Sequence, residues 1–208
     1  TLTPISNLKI YGEILSETNH ENQEEIATIL EQTEKLDFLI QSLVKLSRME
    51  SGIIAVHSED TTITQMLESI QQQFNVKARE KNITLSLCDT DLHVLCDPKW
   101  TEEALGNIVD NAIKYTACGG NVQVKAEQYS FFVKVDIIDD GIGIEKEEIP
   151  KIFGRFYRSL SVADQPGVGI GLFLAREIIQ AQKGYIKVTS KRGKGSTFSV
   201  FLPIAKKE

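Results

Sequence analysis

Apolar positions recur at intervals of three and four over the first fifty residues, which is the spacing of one helix face. The first run predicts a helix over about residues 4–17, with Pro4 in its first turn, and its apolar positions are Ile5, Leu8, Tyr11, Ile14 and Leu15. The second run predicts a helix over about residues 26–50, and its apolar positions are Ile26, Ile29, Leu36, Leu39, Ile40, Leu43 and Leu46. The polar residues 16–25 lie between the two runs, so we predict an antiparallel helical hairpin.

The apolar face of this hairpin is too wide for two helices to bury against each other. Pairing with a second copy would bury it in a four-helix bundle. Packing against the rest of the same chain is the alternative. The sequence therefore predicts an all-α N-terminal hairpin that dimerises.

After Gly52 the pattern changes to short alternating segments between helices, and we place the domain boundary between residues 53 and 54. Domain one is 1–53 and domain two is 54–208. Helices are predicted over 62–81 (capped by Thr61 or Thr62), 98–115 and 169–182, and strands over 83–87, 94–96, 122–126, 131–138, 185–190 and 197–202. Helices alternating with mainly antiparallel strands predict an α+β two-layer sandwich, with the helices on one face of the sheet.

Composition excludes two broad classes of partner. The net charge of −6 argues against general nucleic-acid binding, which needs a basic surface. No apolar run is long enough to cross a bilayer and no leader is recognisable, so we expect membrane contact only through segments outside this chain. The cysteines, Cys88, Cys96 and Cys118, are odd in number and lack metal spacing, which favours a reducing compartment. A Cys88–Cys96 disulfide is the alternative.

The stretch Asp139-Asp-Gly141-Ile-Gly143 follows an apolar run that predicts a buried strand. Glycines there permit a sharp turn and close approach of another group, and a carboxylate can accept a hydrogen bond from an amino group. A tight loop is one alternative. A calcium loop is another, because Asp136, Asp140, Gly141 and Glu147 fit positions one, five, six and twelve, but Ile138 at position three offers no side-chain oxygen.

The helix predicted over 98–115 carries a polar stripe of Asn107, Asn111, Lys114 and Tyr115. Amide oxygens can ligate Mg²⁺ and a lysine can meet a phosphate, so the stripe suits a metal-phosphate group. An ordinary solvated helix face is the alternative.

A second glycine cluster, Gly167-Val-Gly169-Ile-Gly171-Leu172, precedes the next predicted helix. Backbone amides at a helix start, beside glycines, form a phosphate cradle. A dinucleotide fingerprint would need glycine at position 172 and a strand directly before it, and neither is present. The segment 152–158, which contains Phe156 and Arg158, leads into the polar residues 159–165 and indicates a lid.

The order of these motifs resembles the N, G1, F, G2 and G3 boxes of sensor histidine kinases. The matching residues are Asn107-Ile-Val-Asp-Asn111-Ala-Ile-Lys114-Tyr115, Asp139-x-Gly141-x-Gly143, Phe153-Gly-Arg-Phe156-Tyr-Arg158, Gly167-x-Gly169-x-Gly171-Leu172 and Gly193-x-Gly195-x-x-Phe198. The resemblance implies that residues 54–208 have the Bergerat ATP-binding fold of the gyrase, Hsp90, histidine kinase and MutL superfamily. It also implies that the N-terminal hairpin is the dimerisation and phosphotransfer domain.

By that resemblance Asp139 would bind the adenine amino group, and Asn107 and Asn111 would hold Mg²⁺, with Asn107 and Lys114 taking part in catalysis. The expected ATP-binding residues are Asn111, Tyr115, Asp139, Gly141, Gly143, Phe156, Arg158, Gly167, Gly169, Gly171, Leu172 and Thr197. Residues 159–166 would form the ATP lid.

The phospho-accepting histidine is the main departure from the family pattern. Thr3-Pro4 matches the end of the acceptor motif, which places the histidine two positions before Thr1, and Leu2 stands where the family usually has Lys or Arg. We therefore expect this chain alone not to phosphorylate itself. His20 is an alternative acceptor, but it lies in the polar connection without a following Thr-Pro. Thr3 would position water for dephosphorylating a response regulator.

The implied reaction transfers the γ-phosphoryl group of Mg-ATP to histidine and then to an aspartate of a response-regulator receiver domain. The resemblance implies a homodimer and a cytoplasmic location as part of a membrane-bound sensor. Two other functions remain open. The chain could be an inactive ATP-binding or scaffold module, or another ATPase or serine kinase of the superfamily.

Overall fold

The computed structural model describes residues 3–18, 22–50, 56–162, 165 and 167–204. The chain divides into two compact units, which are treated separately. The first unit contains Thr1–Ala55 and Pro166–Val168, and the second contains Val56–Gln165 and Gly169–Glu208. The predicted boundary at 53/54, the stop at Ser51-Gly52 and the alternative acceptor His20 lie outside the described residues.

The first unit is the predicted helical hairpin, formed by α1 (Thr3–Thr18) and α2 (Gln23–Glu50). Ile5 and Ile26 are buried where the helices meet. A Cβ on Gly12 would lie 2.6 Å from Leu30 Cδ2, so the small residue lets the two helices approach closely. The apolar positions on the other sides of the hairpin remain 43–64% exposed, and these are Leu8, Ile10, Tyr11, Ile14, Leu15, Ile29, Leu36, Phe38, Leu43 and Val44.

The second unit is built on a five-stranded sheet in the order β2-β4-β5-β7-β6. Its strands are β2 (Thr84–Leu87), β4 (Asn121–Gln128), β5 (Phe132–Asp139), β6 (Tyr185–Ser190) and β7 (Ser196–Pro203). β2 runs parallel to β4, and the other neighbours are antiparallel. Alternate residues of β5 and β7 are buried, as expected for a sheet covered on one face.

Three helices supply the apolar cover, namely α3 (Ile63–Glu80), α4 (Pro98–Tyr115) and α5 (Gly171–Ala181). Each presents one buried stripe, which in α4 includes Leu105, Ile108, Val109 and Ala112. The predicted fold class, a helical hairpin followed by an α+β sandwich, is confirmed.

The first turn of α4 is fixed from two directions. The side chain of Asp97 accepts a hydrogen bond from Trp100 N at 3.2 Å, which caps the helix. Gln182 is 3% exposed. Its Oε1 accepts two hydrogen bonds, one from Asp97 N at 2.6 Å and one from Thr101 Oγ1 at 3.1 Å. A residue just after α5 thus satisfies two buried donors at the start of α4.

Two predicted boundaries were wrong. Residues Glu59–Thr62 form strand β1, which pairs with β3 (His93–Cys96) in a two-stranded sheet, whereas the sequence predicted only a helix cap there. Thr62 does precede α3, but its side chain makes no capping hydrogen bond. Helix α5 begins at Gly171 rather than at 169, because Gly169 has a positive φ of 76° that a right-handed helix does not accommodate.

The cysteines are free thiols, so the alternative Cys88–Cys96 disulfide is not formed. Cys96 is buried, and burial raises the pKa of its thiol to about 11, which keeps it protonated at neutral pH. Within the described residues no helix is both long and apolar enough to cross a membrane.

Candidate functional site

The polar stripe of α4 faces away from the core because the opposite side of the helix is buried. Asn107, Asn111, Lys114 and Tyr115 are all half-buried, while the apolar residues between them, Ile108, Val109, Ala112 and Ile113, are buried. Asn107 Nδ2 donates to the carbonyl of Glu103 at 3.0 Å, which fixes the orientation of the amide. This bond leaves Asn107 Oδ1 on the side of α4 that the start of α5 approaches.

The first residue of α5 approaches that oxygen. A Cβ on Gly171 would lie 3.0 Å from Asn107 Oδ1, tighter than most real contacts. The structure therefore brings the end of the second glycine cluster to the polar stripe of α4. Glycine at 171 keeps open the space between an amide oxygen and the amino-terminal end of a helix, where backbone N–H groups favour an anion.

Lys114 and Arg158 place two positive charges near one another. Burial, and then the charge of Arg158, lowers the pKa of Lys114 to about 8, with Lys77 acting in the same direction and Asp110 in the opposite one. Lys114 Nζ lies 4.8 Å from the centroid of the Tyr115 ring. Two cations whose charges oppose each other form a site that favours an incoming anion.

Arg158 also organises the segment after it. Its Nη2 donates to the carbonyl of Val162 at 2.9 Å and to that of Gln165. Val162 is the last residue of the short 3-10 helix Leu160–Val162, and Gln165 follows it, so both acceptors lie in the predicted lid. Residues 163, 164 and 166 of that lid lie outside the described residues.

Asp139 is the last residue of β5 and is 8% exposed. Its Oδ1 accepts hydrogen bonds from Gly141 N at 3.0 Å and from Ser196 N at 3.2 Å. Burial raises the pKa of this carboxyl group, the neighbouring charge of Asp140 adds to the rise, and the two backbone hydrogen bonds oppose it. Within the described part of the chain Oδ2 takes no hydrogen bond, so this largely buried carboxylate has one oxygen available to a ligand.

The loop after Asp139 is packed directly on the end of α4. A Cβ on Gly141 would lie 2.5 Å from the carbonyl oxygen of Tyr115, and Ile142 N donates to that same oxygen at 3.2 Å. The sequence predicted that this glycine permits a close approach. The group that approaches is the backbone of the protein itself.

The turn between β6 and β7 closes the other side of this loop. Gly143 has a φ of 66°, and a Cβ there would lie 2.1 Å from Lys191 O. Gly195 has a φ of 86°, and a Cβ there would lie 1.9 Å from Asp139 O. Gly193 N donates to the carbonyl of Ile142 at 2.7 Å. The first and third glycine motifs are thus two halves of one interlocked backbone structure around Asp139.

Four other predicted residues are placed as follows. Phe156 has a positive φ of 60° and is 51% exposed. Gly169 lies against the same segment, since its Cβ would be 2.6 Å from Tyr157 O. Leu172 is half-buried in the first turn of α5, and Thr197 is half-buried in β7 opposite Ile138.

Gly167 and Thr3 belong to the first compact unit rather than to the unit that contains the other predicted residues. The side chain of Thr3 lies outside the described residues.

The calcium alternative is wrong. Asp136 lies inside β5 and bonds Ser199 Oγ at 2.6 Å and Lys134 Nζ at 3.0 Å, so it is not in a loop. Among the described residues no group of three or more His, Cys, Asp or Glu side chains could hold a metal ion. The tight-loop alternative accounts for the turn but not for a buried carboxylate with one available oxygen.

Sequence reasoning missed the two serines that support Asp139. Ser196 N donates to the carboxylate, and Ser196 Oγ lies 2.9 Å from Ser190 Oγ, which donates in turn to Gly195 O at 2.9 Å. Ser190 Oγ also accepts from Ile144 N at 2.8 Å. Ser196 is opposite Asp139 in the β5–β7 register, a pairing that only the sheet order reveals.

The pattern of the family described as "Histidine kinase-, DNA gyrase B-, and HSP90-like ATPase" matches residues 96–206. The chain is 31% identical over 210 residues to the sensor histidine kinase WalK of Bacillus subtilis (strain 168). This match covers 97% of this chain and 34% of WalK. It is 27% identical over 204 residues to the sensor protein kinase PmrB of Pseudomonas aeruginosa, covering 97% of this chain and 43% of PmrB. The chain therefore spans less than half the length of these relatives.

Solved structures show the same architecture. The mycobacterial sensor histidine kinase MprB superposes with a TM-score of 0.63 at 26% identity, over 71% of this chain and 97% of that one. Full-length ShkA in complex with AMPPNP superposes with a TM-score of 0.81 at 22% identity, over 99% of this chain and 44% of ShkA. At that identity the ShkA match supports the fold alone.

Proposed function

The chain belongs to the family of histidine kinase-, DNA gyrase B- and HSP90-like ATPases, as the ATP-binding catalytic region of a sensor histidine kinase, and from this premise we propose its chemistry. The chain binds Mg-ATP and delivers the γ-phosphoryl group to a histidine of the kinase outside the given sequence. The phosphoryl group then passes to an aspartate of a response-regulator receiver domain. The observation that carries the proposal is the buried Asp139, with one oxygen held by backbone amides and the other available.

Asp139 would recognise the purine. Because Gly141 N and Ser196 N occupy Oδ1, the carboxylate is fixed in place and Oδ2 is directed to a ligand donor. An adenine amino group is a donor at the edge of the ring, whereas guanine has a carbonyl acceptor at that position. The arrangement therefore favours adenine over guanine. Gly141 and Gly143 support it by allowing the loop to pack on the protein backbone.

The phosphates would lie between α4 and the start of α5. Lys114 and Arg158 supply positive charge there, and the amino-terminal end of α5 at Gly171 supplies backbone N–H groups. Tyr115, Phe156, Gly167, Gly169, Leu172 and Thr197 complete the proposed ATP-binding set.

The side chains of Asn107 and Asn111 fit a Mg²⁺ ion that keeps most of its water. Both are half-buried amides on one face of α4, and the Asn107 amide is oriented by Glu103 O. When bound, the ion would neutralise charge on the phosphate oxygens. The role of these residues is to position the phosphate chain, since phosphoryl transfer depends mainly on alignment and charge.

The hairpin formed by α1 and α2 would form the homodimer. Its exposed apolar side chains repeat along both helices, and a second copy presents the same surface with the same spacing. On this proposal residues 1–53 are the dimerisation and phosphotransfer domain and residues 54–208 the catalytic domain.

Thr3 would assist a phosphatase reaction on the receiver domain. The whole region would be cytoplasmic, where ATP is available. By the family resemblance the acceptor histidine would stand two positions before Thr1, and without it the chain given would not phosphorylate itself.

Nucleotide binding is tested with Asp139→Asn. The asparagine oxygen can keep the two backbone hydrogen bonds, but its NH₂ group would then face the adenine NH₂ group. We expect the dissociation constant of a fluorescent ADP analogue to rise about 100-fold, equivalent to roughly 3 kcal/mol. The preference for adenine over guanine nucleotides should fall with it.

Asp140→Asn is the matched control, because Asp140 is exposed and pairs with Asn121 N at 2.8 Å and Asn121 Nδ2 at 2.7 Å. It should bind within about twofold of the unmodified chain, as surface changes usually do. Equal binding by the Asp139 and Asp140 variants would refute the purine assignment.

Phosphotransfer is tested separately with a longer chain that includes the residues before Thr1. Incubation with γ-labelled ATP should give a label that is stable to base and labile to acid, as a phosphohistidine is. Nucleotide binding without such a label would support the inactive-module alternative, and a label on serine would support the other superfamily kinases.

A further inference from the structure

The last turn of α4 ends with its carbonyl groups fully satisfied, although a helix end leaves its final four carbonyls without intrahelical partners. Thr116 N donates to Ala112 O at 3.1 Å, and Ile142 N donates to Tyr115 O at 3.2 Å. Of the final four carbonyls those of Ile113 and Lys114 remain, and the carbonyl of the cap residue Thr116 adds a third acceptor. Each of these three needs a donor from outside the helix.

One side chain supplies all three donors. Lys81 Nζ lies 2.9 Å from the carbonyl oxygens of Ile113, Lys114 and Thr116. An ammonium group has three N–H donors and no acceptor, so these bonds use its whole capacity. A positive charge at the carboxyl-terminal end of a helix also complements the negative end of the helix dipole.

The position of Lys81 is itself fixed by backbone. It is the C-cap residue directly after α3, and its carbonyl accepts from Gly119 N at 3.1 Å. Asn82 follows with a positive φ of 53°. The side chain thus extends from the end of one helix to the end of another and does not depend on a loose surface loop.

This last turn of α4 is where the two ends of the proposed nucleotide site meet. It carries Lys114, assigned to the phosphates, and Tyr115, whose carbonyl holds Ile142 N three residues after Asp139. A shift of the turn would move Lys114 and the loop after Asp139 together. Neither motif includes Lys81, and no feature of the sequence pattern pointed to it.

We propose that Lys81 is a positioning residue for nucleotide binding, which fixes the last turn of α4 and, through the Tyr115 carbonyl, the loop that follows Asp139. The proposal rests on the function proposed above. It assigns Lys81 no contact with the nucleotide.

The test uses Lys81→Met, which keeps most of the side-chain length but removes the three donors. We expect the dissociation constant of the fluorescent ADP analogue to rise about tenfold, as supporting residues commonly do when removed. The Ile142 amide should exchange with solvent about ten times faster in the absence of nucleotide, because its acceptor is no longer held. Both are measured at a temperature where circular dichroism shows the variant folded.

Lys134→Met is the matched control. Lys134 is also half-buried, and it pairs with Asp136 at 3.0 Å and Glu127 at 3.4 Å, which belong to β5 and β4 and not to α4. A purely structural role for Lys81 predicts that both variants lose stability and both bind nucleotide as the unmodified chain does. Positioning predicts that only Lys81→Met loses affinity and Ile142 protection.

Lys81→Arg serves if the methionine variant does not fold. It keeps the charge, but its planar fork of donors cannot converge on three carbonyls as an ammonium does, so we expect about threefold weaker binding and faster Ile142 exchange. A folded variant with unchanged affinity and unchanged Ile142 exchange overturns the proposal. Failure of the unmodified chain to bind nucleotide refutes the function proposed above, and the Ile142 exchange then decides the positioning role by itself.

Discussion

The two ends of the proposed nucleotide site are built differently. Around Asp139 the glycine loops interlock through backbone contacts, and the carboxylate is buried. At the phosphate end, Phe156 is half exposed and Arg158 holds the lid segment through carbonyl oxygens of Val162 and Gln165. The first end is arranged before a ligand arrives, which lowers the entropy cost of recognition. On the function proposed above, the second end has groups that would rearrange around phosphate, as lids do.

The largest effect is expected from Gly195→Ala, which would disrupt the interlocked loops around Asp139. The new methyl group would meet the Asp139 carbonyl at 1.9 Å, and φ is 86° there. We expect loss of detectable nucleotide binding and a loss of about 2–4 kcal/mol in the free energy of unfolding, from backbone strain and overpacking together. Urea denaturation and nucleotide titration measure the two effects.

Gly193→Ala is the control, because φ is 72° but nothing lies within 4 Å of the added methyl group. Only the strain of about 1 kcal/mol should remain, with binding retained. If both alanine variants behave alike, the close contact between the two loops has no importance for the site.

Asn111→Ala tests whether the phosphate end contributes to binding independently of the purine end. Removing one proposed Mg²⁺ ligand should weaken ATP binding about tenfold when Mg²⁺ is present and have little effect when it is chelated. Adenosine, which lacks phosphates, should bind the variant and the unmodified chain equally. Weaker adenosine binding would show that the two ends are not independent.

The smallest expected effect concerns pH and Lys114. Below its pKa of about 8 the lysine is charged and attracts phosphate, and the attraction is lost as pH rises through that value. ADP affinity should fall about threefold between about pH 7 and about pH 9, while adenosine affinity should not change. Lys114→Met should remove this dependence, and a fall that persists in the variant would contradict the assignment.

The same group has the opposite effect on the stability of the ligand-free chain. The pKa of Lys114 is lowered from 10.5, so the unfolded chain binds more protons than the folded chain between about pH 8 and 10.5. The contribution of Lys114 to the free energy of unfolding therefore rises with pH across this window. Thermal denaturation of the unmodified chain and of Lys114→Met measures that difference.

Motif spacing was sufficient to place α4. Because residues three and four apart share a helix face, Asn107, Asn111 and Lys114 could be assigned to one stripe from sequence alone. The position of Asp139 at a strand end followed from the apolar run before it.

Contacts that depend on the order of strands could not be predicted. Ser196 supports Asp139 only because β5 lies beside β7, and that register is not encoded near either residue. Strand β1 was missed because Glu59-Asp60-Thr61-Thr62 is polar and four residues long, so its pairing with β3 comes from the fold and not from its own hydrophobicity.

The hydrogen bonds of Gln182 affect the order in which the chain folds during its synthesis. The Asp97 amide and the Thr101 hydroxyl are buried donors whose acceptor is made more than eighty residues later. Until the ribosome has released α5 and Gln182, these two donors can bond only water, and burying the amino-terminal turn of α4 would leave them without an acceptor. We therefore expect a nascent chain that stops before Gln182 to bury the first turn of the helix that bears the asparagines less stably, so that the site is completed late in synthesis.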